Sequence, residues 1–540
     1  MIQGSAQGTG SGQLQNDMKK NRLLLVSAGF AGILLFCLQY NKTFPAASVN
    51  ISINKQQAYS CAQDFLTENG FDVSQFHRTI SFASDNYSGI YLQKKLGMAK
   101  ANEMVAGGLP IWYWRVRYYK ELDKKGYAVC IDPSDGKVLF FNHYLLETDP
   151  GVNLTLYNAR LLAEDFLCGR GIDPDKYEIK EEKSIKKPNR TDHYFVWENN
   201  DFKIEDAALR VNVGIYGDEV GSFMNYLKIP ETFTRDLIKE TATGPVLAKT
   251  ADIFMLLTLL WSLYYMVSCS LPRSVQWKRG LACAGVFFLL QLISFLNNTA
   301  MIWNSYPSTV SMSLFYMSSL ETFIGSAIGD SLMLFAFFTL GSIYADHSPE
   351  KEADINIPDK ITIAYSIAFI FLGYLVVFYE LGQKYFNVWM PLSASYTNIL
   401  GTYFPFTGPL TVGFAAALSE EFIYRMLSIN FLRKVLPGRF TAVFVSSLLW
   451  GFAHSSYQIY PVYMRGIELT VFGIILGIVY LRYGLGVVVL AHFVMDIILA
   501  GVPLLRTGQP GIILPVLVVL CAAPCVLLLF RVKNPCGRCT

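Results

Sequence analysis

The chain sets long apolar runs against one extended polar stretch, and that contrast marks out its elements. Apolar runs fall at residues 23–40, 251–270, 281–297, 320–344, 361–380, 407–432, 441–458, 465–481, 486–504 and 511–531. Each reaches or approaches the length that crosses a hydrocarbon core of about 30 Å, so ten membrane helices are predicted. Residues 41–245 instead have the composition of a soluble domain, with helical periodicity giving way to strand-like alternation. That order occurs twice. Ala62-Gln63-Asp64-Phe65-Leu66 with Gly70-Phe71-Asp72 returns as Ala163-Glu164-Asp165-Phe166-Leu167 with Gly171-Ile172-Asp173. Each copy opens as an amphipathic helix closed by glycine. Strands follow at residues 111–119, 127–131 and 138–141, with a turn at 132–136, and at 208–215 and 220–226 around Gly217. The fold class is therefore a mainly α-helical polytopic membrane protein with an α+β domain of two repeats, 41–150 and 151–245.

Composition supports this division. Of the 540 residues, 52% are hydrophobic and 16% charged, which excludes a soluble enzyme. The net charge is only +3 and no basic tract carries interleaved aromatics, so nucleic acid is not a partner. The positive charges orient the helices. Lys19, Lys20 and Arg22 precede the first run; Arg273, Lys278, Arg279, Arg433, Lys434, Arg439, Arg482, Arg531 and Lys533 all fall on the same side if the helices alternate. By the positive-inside rule both termini are cytosolic and residues 41–245 extracytosolic. Residues 1–22 are expected to be a disordered cytosolic segment, and 532–540 a cytosolic tail carrying a lone Cys536-x-x-Cys539. The 23–40 run reads as an uncleaved anchor, because the residues after it offer no small-x-small cleavage pattern. Cys61, Cys130 and Cys168 allow at most one disulfide in the soluble domain. His77, His143 and His193 are unclustered there.

Candidate chemistry lies in the apolar half. Residues 418–426 place Glu420, Glu421 and Arg425 in a run that otherwise looks membrane-buried. Ionisable groups there cost roughly 2.5–3.5 kcal/mol each, so they mark a functional site by default. On a regular helix Glu421 and Arg425 are i, i+4 and pair. Glu420 is turned about 100° away and left without that partner, as a general base would be. Farther on, Trp450 and His454 share a face, and His492 and Asp496 are again i, i+4. A lone histidine in a bundle is usually a satisfied packing contact. Two histidines on separate helices, converging with carboxylates, suit water activation. A transporter's proton relay is the other use of buried charge, and no inverted repeat supports it here.

The ordered set E-E-x-x-x-R, aromatic-x-x-x-H and H-x-x-x-N/D, here Glu420-Glu421 to Arg425, Trp450 to His454 and His492 to Asp496, resembles the CPBP family. These are intramembrane proteases related to the type II CAAX prenyl endopeptidases and to bacteriocin-processing and self-immunity proteins. The resemblance covers about residues 281–531, within a membrane domain of 251–531, and implies an eight-helix core in a bacterial inner membrane. It implies that Glu420 and His454 activate a water that attacks the scissile carbonyl. It places His492 and Asp496 at the oxyanion, with Glu421 and Arg425 in support and no cofactor. Zinc is the competing mechanism, against which stand the absent H-E-x-x-H spacing and the nearby arginine. Trp450 stands where the family more usually has phenylalanine, an exchange expected to be harmless. Asp496 replaces the commoner asparagine. An ionised aspartate cannot donate to an oxyanion, so it is either protonated or holds His492 in one tautomer. The implied substrate is a membrane protein or lipid-anchored peptide surrounded by membrane lipid. A non-proteolytic immunity or scaffold protein of the same fold is the alternative. The two soluble repeats resemble PepSY-type modules, which implies protease regulation or a chaperone-like role.

Overall fold

A computed structural model of the chain describes residues 9–269, 275–346, 355–392 and 398–530. Cys536, Cys539, Arg273, Arg531 and Lys533 lie outside the described residues. The first helix, α1 (Thr9–Thr43), begins well before the apolar run at residue 23, where an unstructured segment was expected. Once an apolar run is helical, adding residues at its end is easier than starting a helix, so the polar residues before it can join.

The soluble domain is one eight-stranded antiparallel sheet in the order β1-β2-β3-β4-β8-β7-β6-β5. Its first half is α2 (Lys55–Glu68), β1 (His77–Ser84), β2 (Trp112–Tyr119), β3 (Gly126–Ile131) and β4 (Val138–Tyr144). Its second half is α5 (Leu156–Gly169), β5 (Tyr177–Lys186), β6 (Thr191–Ile204), β7 (Ala207–Tyr216) and β8 (Glu219–Lys228). Each half is a four-strand meander, and the two join last strand to last strand, with Phe141 opposite Phe223. The repeat in sequence is thus a repeat in packing. Phe65 of α2 meets Phe141 edge-on at 5.0 Å, and Phe166 of α5 meets Phe223 at 5.4 Å. Gly70 and Gly171, following the two helices, take φ of +81° and +74°, which only glycine adopts without strain.

The copies differ in one insertion. Between β1 and β2 the first copy adds α3 (Asn86–Leu96) and α4 (Met98–Ala106), where the second has a short turn. Cys61, Cys130 and Cys168 are all free thiols, so the one disulfide their number allowed is not formed. Burial pushes the Cys130 thiol up to about 12. His193 is buried and bonded to Ser184 and Leu154, and His143 faces Glu219.

After α6 (Glu231–Thr241) the chain enters the bundle: α7 (Thr243–Ser268), α8 (Trp277–Ile302), α9 (Met312–Asp346) and α10 (Ile357–Phe386). Next comes a composite helix of α11 (Thr407–Glu420), a π-helical stretch (Glu421–Ile429) and α12 (Asn430–Val435). Then follow α13 (Arg439–Ala453), α14 (Tyr463–Tyr483), α15 (Leu485–Leu505) and α16 (Pro510–Ala522), the last prolonged by a 3-10 turn (Ala523–Phe530). Counted with α1, ten helical segments thus lie where apolar runs predicted them. Eight are long and apolar enough to cross a membrane, making this an integral membrane protein. The two that are not carry Glu420 and His454: one is interrupted by charge and the other is short. Helix α15, which carries His492, is the most enclosed of the spans.

α1 runs beside α10. Gly32 and Gly373 meet so closely that a Cβ on Gly373 would lie 2.6 Å from the Gly32 Cα. Arg22 pairs with Asp359 at one end and Thr43 with Glu380 at the other, so the two helices are parallel. The soluble domain caps the Thr43 end. There Arg117 donates to the Tyr306 carbonyl at 2.6 Å, Lys55 to the Gly401 carbonyl at 2.7 Å and Arg506 to the Ala47 carbonyl at 2.7 Å.

Candidate active site

The three sequence motifs meet inside the bundle. Glu420 ends α11, and the backbone then widens, with Ser428 reaching back to the Ile423 carbonyl five residues before it. Such π-helical stretches sit frequently at functional sites. Glu421 and Arg425 lie in the widened stretch and are shut away, at 0% and 1% exposure, whereas Glu420 and Asp496 keep 21% and His454 14%. The second group can meet water and the first cannot.

The two histidine rings are fixed by their partners, whereas Arg425 Nη1 and Nη2 are buried without a hydrogen-bond acceptor among the described residues. The Nδ1–H of His454 donates to the Trp450 carbonyl at 2.7 Å, since a carbonyl can only accept. Its Nε2 then faces Glu420 Oε1 at 3.6 Å. The Nδ1–H of His492 donates to Glu421 Oε1 at 2.8 Å. Its Nε2 faces Glu420 Oε2 at 3.9 Å and Asp496 Oδ2 at 3.5 Å. Both imidazoles are therefore held by Nδ1 and turn Nε2 toward the same carboxylate.

Four details differ from the sequence reading. Glu420 is not without a partner, because Trp450 Nε1–H donates to its Oε2 at 2.5 Å. The tryptophan is consequently not an idle replacement for phenylalanine, which has no such donor. Arg425 does not serve Glu421 alone: Nε lies 3.2 Å from Glu421 Oε2, and the guanidinium sits 4.1 Å over the Trp450 ring. Finally, the group bonded to His492 Nδ1 is Glu421 rather than Asp496, so Glu421 fixes the tautomer. Regular helical geometry could not reveal these contacts, which depend on the widened turn and on which helices are neighbours.

Two nearby residues escaped the sequence reading. Tyr457 lies 5.2 Å from the His454 ring, and fully buried Glu468 accepts from Tyr379 and from Arg465, the latter at 2.6 Å. A glutamate within an apolar helix was the signal available for Glu468. Among the described residues no group of three or more His, Cys, Asp or Glu side chains is arranged to hold a metal ion. The donors fit one poorly, since Glu420 Oε2 is engaged by an N–H and a guanidinium lies behind the same ring.

Residues 403–498, which contain all three motifs, match the family model of Rce1-like type II CAAX prenyl endopeptidases. Over 485 residues the chain is 20% identical to the "Sporulation-killing factor biosynthesis protein SkfC" of Bacillus subtilis (strain 168), covering 88% of this chain and 93% of that one. No solved structure matches.

Proposed function

We propose that this membrane protein, with a CAAX-protease-type region at residues 403–498, is an intramembrane endopeptidase that uses a glutamate-activated water. The observation that carries the reading is the convergence of two imidazole Nε2 atoms on the two oxygens of Glu420. Their separations exceed a direct hydrogen bond and suit a bridging water.

In this mechanism a water lies between Glu420 Oε1 and His454 Nε2. Glu420 takes its proton as the oxygen attacks the scissile carbonyl carbon. His492, protonated at Nε2, donates to the oxyanion, and the Glu421 carboxylate on Nδ1 stabilises its positive charge. Asp496 beside Nε2 accepts and steadies that proton in the resting site. As the C–N bond breaks, Glu420 returns the proton to the departing amine, so a carboxylic acid and an amine are formed, the acid then gives its proton to the amine, and the enzyme is regenerated. No serine or cysteine is needed as a nucleophile. A zinc-dependent form of the same protease and a non-proteolytic scaffold are the alternatives.

The substrate class assigned is a membrane-associated peptide or membrane protein. Similarity to SkfC runs through both the soluble repeats and the bundle, and that relative is named for the biosynthesis of a killing factor. Cleavage of a precursor in the making of such a factor is accordingly the favoured case.

The test compares new protein termini in membranes of cells expressing the wild type, Glu420→Gln or His454→Ala. Expected is a set of termini present with the wild type and missing with both variants, while both accumulate as folded protein. Unchanged termini in both variants would overturn the proposal. Persistence of cleavage by the purified protein in a chelator is expected, and loss that zinc restores would favour the metal mechanism.

A further inference from the structure

His454 ends α13, and residues 454–462 carry the chain from there to α14. This segment makes few bonds of its own: Tyr457 N donates to the His454 carbonyl at 3.0 Å and Ile459 N to the Tyr457 carbonyl at 2.7 Å. It is held mainly from outside. Tyr460 and Trp389 exchange both backbone bonds, at 3.0 and 3.1 Å, and their rings stack at 4.2 Å. Trp389 Nε1–H donates to Glu240 Oε1 at 3.0 Å. The other Glu240 oxygen pairs at 2.7 Å with Lys94, on the inserted helix α3 of the soluble domain. The Lys94 ammonium also lies 5.0 Å over the Trp389 ring, and Gln93 accepts from Met390 N at 3.2 Å. Ile90 of α3, Leu237 of α6, Trp389, Tyr460 and Val462 close into one buried cluster. Gly244 also approaches the carbonyl of Ser455, the residue after His454, so closely that a Cβ would lie 2.6 Å from it.

We propose that Trp389 and Tyr460 are positioning residues for His454, and that the soluble domain governs them through the Lys94–Glu240 link. The proposal rests on the protease reading above. Physically, a histidine at a helix end is only as well placed as the chain that follows it. Here that chain is pinned by a stacked pair that the soluble domain touches through Lys94 and Gln93. The Lys94–Glu240 pair is partly exposed, at 30% and 35%, so it is weak and open to competition. Whatever binds α3 or draws Lys94 away loosens the clamp. Small misplacements of a catalytic group carry large rate penalties, so loosening acts on turnover. The insertion of α3 and α4 in one repeat only fits this role, because α3 supplies Ile90, Gln93 and Lys94.

The experiment uses the full-length protein in lipid nanodiscs and follows amide hydrogen exchange. In Trp389→Ala, exchange across residues 454–462 is expected to rise at least tenfold while α11 and α15 hold their protection. Trp389→Phe keeps the stack and the backbone pairing and is expected to restore most of it. Glu240→Gln, which removes the charge paired with Lys94 and leaves the Trp389–Tyr460 stack in place, is expected to raise exchange there severalfold. The termini that depend on Glu420 should fall in the same order. Unchanged exchange at 454–462 in both Trp389→Ala and Glu240→Gln would overturn the proposal, and Glu240→Gln decides alone if the alanine variant does not fold. Should the protease reading be wrong, Glu420→Gln leaves the termini unchanged while the exchange result stands by itself.

Discussion

At the scale of single residues, the site is a set of oriented hydrogen bonds rather than a cluster of charges. Trp450 is the clearest case. Its indole N–H bonds Glu420, and its ring face carries Arg425. A hydrogen bond to a charged group contributes about 1.5–3 kcal/mol, or ~10–100-fold in a rate. Trp450→Phe keeps an aromatic ring but loses the donor, so Glu420-dependent cleavage is expected to slow by about that factor, with a loss of thermal stability from the smaller ring that leaves the protein folded. Comparing cleavage rate with melting temperature checks this. Glu421 has two neighbours, and its removal strands Arg425 at 1% exposure. Breaking a buried pair costs about 3–5 kcal/mol. Glu421→Ala should therefore fail to accumulate as folded protein. Glu421→Gln with Arg425→Met should fold yet cleave poorly, because the glutamine no longer stabilises a charged His492. Expression level and cleavage, measured together, separate the two effects. Glu420, His454 and His492 were legible in the sequence as ionisable groups in apolar helices. Their partners were not, because a hydrogen bond between distant helices leaves no trace in spacing.

At the scale of elements, the long apolar helices were the most legible part, since length and hydropathy decide them locally. The short ones were less so. Helices α3 and α4 and the strands β1, β5 and β6 carry weaker patterns, and their faces are set by what covers them. The π-helical widening after Glu420 was also hidden, for the 3.6-residue spacing used to place side chains assumes a regular turn. Close helix pairs depend on glycine. Helix α14 approaches α13 at Gly473, where a Cβ would lie 2.9 Å from Cε3 of Trp450 and equally close to the Ser447 Cβ. Gly473→Ala is expected to push the indole away from Glu420 and reduce cleavage more than stability. A fall in cleavage no larger than that caused by Gly511→Ala, where a Cβ meets open space, would show that the indole position is unimportant.

At the scale of the whole molecule, one end of the bundle is capped by the soluble domain and the other collects Lys278, Arg279, Arg433, Lys434, Arg439 and Arg482. By the positive-inside rule that second end is expected to face the cytosol. A cytosol-dependent fluorescent reporter fused after residue 540 should therefore be bright, and a cysteine placed at exposed Leu122 should react with an impermeant thiol reagent on intact cells. The reverse pattern would invert the assignment.

By itself, the sequence determined the ten helical runs, the duplicated soluble unit and the identity of the ionisable residues in the bundle. Each follows from local chemistry: apolar length, periodic patterning, and the cost of charge in hydrocarbon. Tertiary structure alone decided that the two repeats fuse into one sheet, that Glu421 rather than Asp496 bonds His492 Nδ1, and that the segment beyond His454 leans on the soluble domain. These depend on which surfaces meet. Among residues 71 positions apart, as Glu421 and His492 are, only packing brings a donor to its acceptor. The first glutamate of residues 418–426 is thus marked by the chain, while its setting is made by two other helices, α13 and α15.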